Sequence, residues 1–105
     1  MKRIPLGVVK VGRHPNQQDR KVSDILLDCL YAPTQMGVNN QVGRARVKVG
    51  NLIEKASEQP SVMLEDADHA TLVAAINGFV SVCPDEGLYA AQDLALNAET
   101  VELPN

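Results

Sequence analysis

Asp66-Ala67-Asp68-His69 places two carboxylates and an imidazole within four residues. A metal site needs three or four such ligands converging from different elements. The other histidine, His14, falls in a polar stretch, and Cys29 and Cys83 are isolated from each other. Helix-end chemistry accounts for each residue without a ligand. Asp66 caps a helix beginning at Ala67, Asp68 complements the positive end of its dipole, and His69 sits in its first turn. Cys83 precedes a second predicted helix, where a thiolate gains stability, but no base is spaced to activate it. Burial against Phe79-Val80-Ser81-Val82 is the expected fate of Cys83. With no phosphate-cradling glycine motif, serine elbow or recognisable catalytic carboxylate pair, the pattern points away from an enzyme and from any cofactor or metal.

The remaining chemistry is charge. All ten Lys and Arg residues lie at or before Lys55. Residues 1–57 carry ten basic and four acidic side chains, whereas residues 58–105 carry nine acidic ones and no Lys or Arg. The net charge of −3 therefore covers two electrostatic halves. Such a split speaks to partners and solubility rather than to fold. On a helix over about 40–57, Arg44, Lys48, Asn51 and Lys55 fall within a narrow arc, away from a Val42/Ala45/Val49 seam. A basic row of this kind tracks phosphates or meets acidic protein. Arg46 on the same helix, and Arg13, Arg20 and Lys21 upstream, extend the set of contact candidates, and Lys2, Arg3 and Lys10 add charge. The row has no aromatic residue on which a single-stranded base would stack.

These side chains are positioned by elements that the pattern outlines. Ile4 to Val11 alternates and ends at Gly12, predicting one short strand, with Pro5 favouring a sheet edge. Gly12 to Lys21 is polar and aperiodic, a loop or arm. Ser23 caps a helix over Asp24–Tyr31, with Val22, Leu26, Leu27, Leu30 and Tyr31 on one face and Pro33 as the stop. Val38, Val42, Ala45, Val49, Leu52 and Ala56 then step by four and three, a helical stripe capped by Asn39 or Asn40. Gly43 to Gly50 also alternates with period two, and two interior glycines disfavour a helix by about 0.8–1 kcal/mol each. The longer stripe outweighs them.

Pro60-Ser61 breaks the chain before a buried strand over Val62-Met63-Leu64. The helix after Asp66 turns Leu72, Val73, Ile76 and then Phe79 or Val80 to the core, and Asn77-Gly78 supplies a left-handed stop. Pro84 opens a last helix reaching about Ala98. The acidic tail, residues 99–105, either adds a strand or stays mobile. The expected fold is α+β, three to four helices on a small two- or three-stranded sheet. Its parts are a basic strand and arm (1–21), a helical core (22–98) and the tail.

At 105 residues with 45% hydrophobic content, the chain suits one domain with its own core. Only Tyr31, Phe79 and Tyr89 are aromatic. An aliphatic core stabilises less per side chain, which favours self-association. Two cysteines and no apolar stretch of membrane-spanning length predict a reduced, cytoplasmic protein with no membrane contact.

The order of helix, basic-flanked helix ending Leu-Ile-Glu-Lys-Ala-Ser57, and Val-Met-Leu-Glu-Asp-Ala-Asp-His-Ala-Thr-Leu-Val73 resembles small accessory proteins of tailed phages and prophages over about Ser23 to Ala98. That resemblance implies an intracellular role in virion assembly or host takeover, in the host cytoplasm or the virion. It transfers no functional residue. The expectation is a non-enzymatic interaction protein that docks to itself, as a homo-oligomer, or to a phage or host protein. The alternative is a small nucleic-acid-binding regulator using the basic half.

Overall fold

The computed structural model describes residues 1–34, 36–81 and 83–102. Among these, three strands lead the chain: β1 (Lys2–Pro5), β2 (Val8–Val11) and β3 (Gln18–Lys21). Two helices follow, α1 (Val22–Tyr31) and α2 (Asn40–Lys55), then β4 (Ser61–Leu64), α3 (Asp66–Asn77), α4 (Glu86–Leu96) and β5 (Glu99–Thr100). The fold is α+β, with an antiparallel sheet in the order β4-β1-β5 and a separate β2–β3 hairpin.

Ile4 to Val11 forms two strands in different sheets rather than one. The break falls at Leu6-Gly7, whose backbone is diverted: Leu6 N–H donates to the Pro60 carbonyl, and the Gly7 carbonyl accepts from Val22 N–H. Nor is β1 an edge strand; it is central. Pro5 is tolerated because β5 pairs only with Lys2 and Arg3, leaving β4 alone beside Pro5. The polar stretch expected as a loop also contains β3. Every residue of β3 is exposed, so no apolar alternation announces it. The hairpin register sets Lys10 opposite Asp19, and their side chains pair at 2.9 Å.

Ile4, Val62 and Leu64 turn one face of the three-stranded sheet inwards. They meet Ile25, Leu26 and Cys29 of α1, Val49 and Ile53 of α2, and Leu72 and Ile76 of α3 in one core. The inward stripe of α4 is small, Gly87, Ala91 and Ala95, which allows close approach. A Cβ on Gly87 would collide with the Lys10 carbonyl of β2. Helices α1 and α3 each pack against both α2 and α4, and so stand between them.

The helix ends depart from expectation in four places. Helix α1 begins at Val22, so Ser23 is not its cap; the hydroxyl is buried inside the first turn without a partner among the described residues. Asp66 is the first residue of α3 rather than its cap, and Glu65 at that position makes no side-chain capping bond. Gly78 ends α3 at φ −90°, an ordinary right-handed conformation, with its N–H on the Ala74 carbonyl. Helix α4 starts at Glu86 behind Asp85, two residues later than Pro84, and stops at Leu96. Asn39 does cap α2, accepting from Val42 N–H at 2.9 Å. The tail adds β5 to the sheet, while Leu103, Pro104 and Asn105 lie outside the described residues.

Candidate docking surface

The three side chains of the Asp66–His69 run diverge. Asp68 is nearly buried and pairs with Lys48 at 3.3 Å. The His69 Nε2 atom lies 2.7 Å from the Ala95 carbonyl oxygen, tying α3 to α4. Asp66 is exposed, 3.8 Å from the N-terminal ammonium. No three His, Cys, Asp or Glu side chains converge among the described residues as a metal would need. Cys83 is exposed, not buried as expected, and Val82 of its proposed apolar cover lies outside the described residues. With Arg13 and His14 it lines an open hollow of about 660 Å³. Cys29 is buried, which pushes its thiol pKa up, and Gln92 Nε2 sits 3.6 Å from its sulfur.

The structure separates the basic candidates into tied and free groups. Arg20 pairs with Asp28 at 2.9 Å, and Lys21 with Glu58. The Lys21–Glu58 hydrogen bond raises the lysine pKa and lowers that of the carboxyl. Arg3 pairs with Glu99. Lys21–Glu58, Arg3–Glu99 and Lys48–Asp68 all join the basic half to the acidic half within one molecule. Among the described residues, Arg13, Arg44, Arg46 and Lys55 have no acidic partner within ion-pair distance. Arg46, the further contact candidate on this helix, lies off the basic row. It follows the core-facing phase of α2 and lines a hollow of about 440 Å³ with Cys29, Met36, Phe79 and Val80.

What remains is the outward face of α2. Arg44, Val47, Lys48 and Asn51 occur at i, i+3, i+4 and i+7, the spacing of one helical surface. Together with Val38 and Gly43 they line an open groove of about 700 Å³. Val38 lies against Gly43, where a Cβ would stand 3.6 Å from the valine methyl. Val47 is 46% exposed, and Val38 and Val42 are also exposed. Helix burial begins only at Val49, so the first part of the predicted stripe, Val38 and Val42, does not join the core. An apolar strip bordered by cations can take up an apolar group that carries negative charge.

No family model, curated protein or solved structure matches this chain. Sequence reasoning placed Arg44, Lys48 and Asn51 on one arc but missed Val47, which shares it. That position was legible, because Val47 stands three residues after Arg44 on the same helix. The exposure of Val38 and Val42 depends on where α1 and α3 stop covering α2, and that is a tertiary property.

Proposed function

We propose that this chain is a non-enzymatic docking protein whose working surface is the outward face of α2. The observation that supports this is the exposure of Val38 and Val47 beside Arg44, which has no acidic partner within ion-pair distance among the described residues. Scattered surface valines need no explanation, but an apolar groove edged by free charge has the composition of a contact site. A phosphate-tracking reading is weaker. Arg20, Lys21 and Lys48 are already neutralised by their own chain, and Val47 interrupts the row. The resemblance to phage accessory proteins adds a setting, assembly in the host cytoplasm, to the same reading.

The test compares the wild-type chain with an Arg44→Glu/Val47→Glu variant, each immobilised. Both are exposed to extract of the cells that make the protein and, separately, to duplex DNA across a salt series. Proteins held by the wild type and absent from the variant are the expected result. Identical proteins on both surfaces would remove α2 from the role. DNA held by the wild type and lost by the variant would move the reading to nucleic acid.

A further inference from the structure

The outward face of α4 repeats the spacing of α2 with the opposite charge. Glu86, Tyr89, Ala90 and Asp93 fall at i, i+3, i+4 and i+7, as Arg44, Val47, Lys48 and Asn51 do on α2. Tyr89 is 45% exposed, and Glu86, Ala90 and Asp93 are exposed around it. Neither acid has a basic partner within ion-pair distance among the described residues. Arg3 shares a hollow with Asp93 but is held by Glu99. Glu54, exposed near Val47 by helical phase, and Asp68, paired with Lys48, border the basic face.

Resting on the docking reading above, we infer that the occupant of the α2 groove is the α4 face of a second copy of this chain. The Tyr89 ring enters the groove over Gly43 and Val47, and Glu86 and Asp93 meet Arg44 and Lys55, whereas Lys48 of the same row is held by Asp68. The two faces are complementary in charge. One face is apolar with cations, and the other carries a half-exposed aromatic ring with anions. Tyrosine concentrates binding energy at protein contacts, and its ring face attracts the cations that edge the groove. A single molecule cannot satisfy both faces itself, because α1 and α3 stand between α2 and α4. The contact joins two different surfaces, so it is head-to-tail and repeats into rings or open chains. One helix against one helix is a small interface, so each contact is weak and reversible.

Light scattering and sedimentation over a concentration series at low salt test this on the full chain. The wild type should exceed its 11.3 kDa monomer mass as concentration rises, and should dissociate at several hundred millimolar salt. Arg44→Glu and Asp93→Arg should each weaken association by roughly tenfold, which is about 1.4 kcal/mol. An equimolar mixture of the two variants should recover it, since every contact is then complementary. Tyr89→Ala should weaken it even at low salt, and unchanged circular dichroism of each variant would show that folding is intact. A monomer at every concentration overturns the inference while leaving the docking reading to the capture comparison. Association that Arg44→Glu abolishes but Tyr89→Ala and Asp93→Arg leave intact keeps α2 as the surface and overturns α4 as its occupant. Association lost on nuclease treatment overturns both.

Discussion

The Asp85 carboxylate accepts the Gly12 backbone N–H at 2.9 Å, joining the end of β2 to the start of α4 across 73 residues. Its other oxygen accepts from Gly87 N–H at 2.9 Å and Leu88 N–H at 3.2 Å. One side chain thus caps a helix and fastens the hairpin to it. Asp66, the residue expected to cap α3, makes no such bond. Asp85→Ala should therefore lower the urea midpoint clearly more than Asp66→Ala does. Equal shifts would show that the bridge contributes nothing beyond an ordinary surface carboxylate.

The same bridge gives stability a pH dependence. The Gly12 N–H, ahead of the helix N–H groups, holds the Asp85 carboxyl below its ordinary value. The Lys21 hydrogen bond does the same to Glu58. A lowered folded pKa adds stability that is complete above the unfolded value, about 3.9 for Asp, and is lost as pH falls through the folded value. Lys21, with its pKa raised, adds stability below its unfolded value that is lost as pH rises through the folded one. Unfolding midpoints should fall on the acid side of about pH 4. Asp85→Asn should flatten that fall, and an unchanged acid limb would remove Asp85 as a contributor.

Most of the helical architecture was legible because it rests on local pattern. The stripe through Val49 and Leu52 predicted α2 despite Gly43 and Gly50, and Asn39 was among its expected caps. The buried strand over Val62–Leu64 and the inward Leu72 and Ile76 followed from burial periodicity. What escaped depends on partners distant in sequence. Strand β3 has no apolar residue and exists through its pairing with β2. Asp85 was read as a residue inside α4, and nothing local discloses Gly12 as its partner. The docking surface was half legible: its cations share an arc, but its exposed valines are set by the limits of the core.

The glycines separate propensity from packing. A methyl group on Gly43 meets only Val38, at 3.6 Å, so Gly43→Ala should stabilise by about 0.8–1 kcal/mol through helix propensity. On Gly50 the same group would overlap the Tyr31 ring, a half-exposed side chain able to swing aside, so the gain should be smaller. On Gly87 it would overlap the Lys10 backbone carbonyl, and the hairpin must shift. Gly87→Ala should destabilise by about 1–3 kcal/mol. Chemical denaturation of the three variants checks the order; a stable Gly87→Ala would mean that α4 does not approach β2 so closely.

Leu72 is fully buried and Ile76 nearly so. Truncating either to Ala should destabilise by about 2–5 kcal/mol. Val47→Ala, on the outward face, should change the denaturation midpoint little. A Val47 variant as destabilised as Leu72→Ala would place Val47 in the core and dissolve the exposed groove.

The seating of a second copy's α4 on the outward face of α2 is tested most directly by backbone amide resonances followed through a dilution series at low salt. The account predicts concentration-dependent shifts concentrated at Val38 to Asn51 and at Glu86 to Asp93, with the buried stretch of α3 unmoved. Shifts confined to other surfaces, or none up to millimolar concentration, would contradict it.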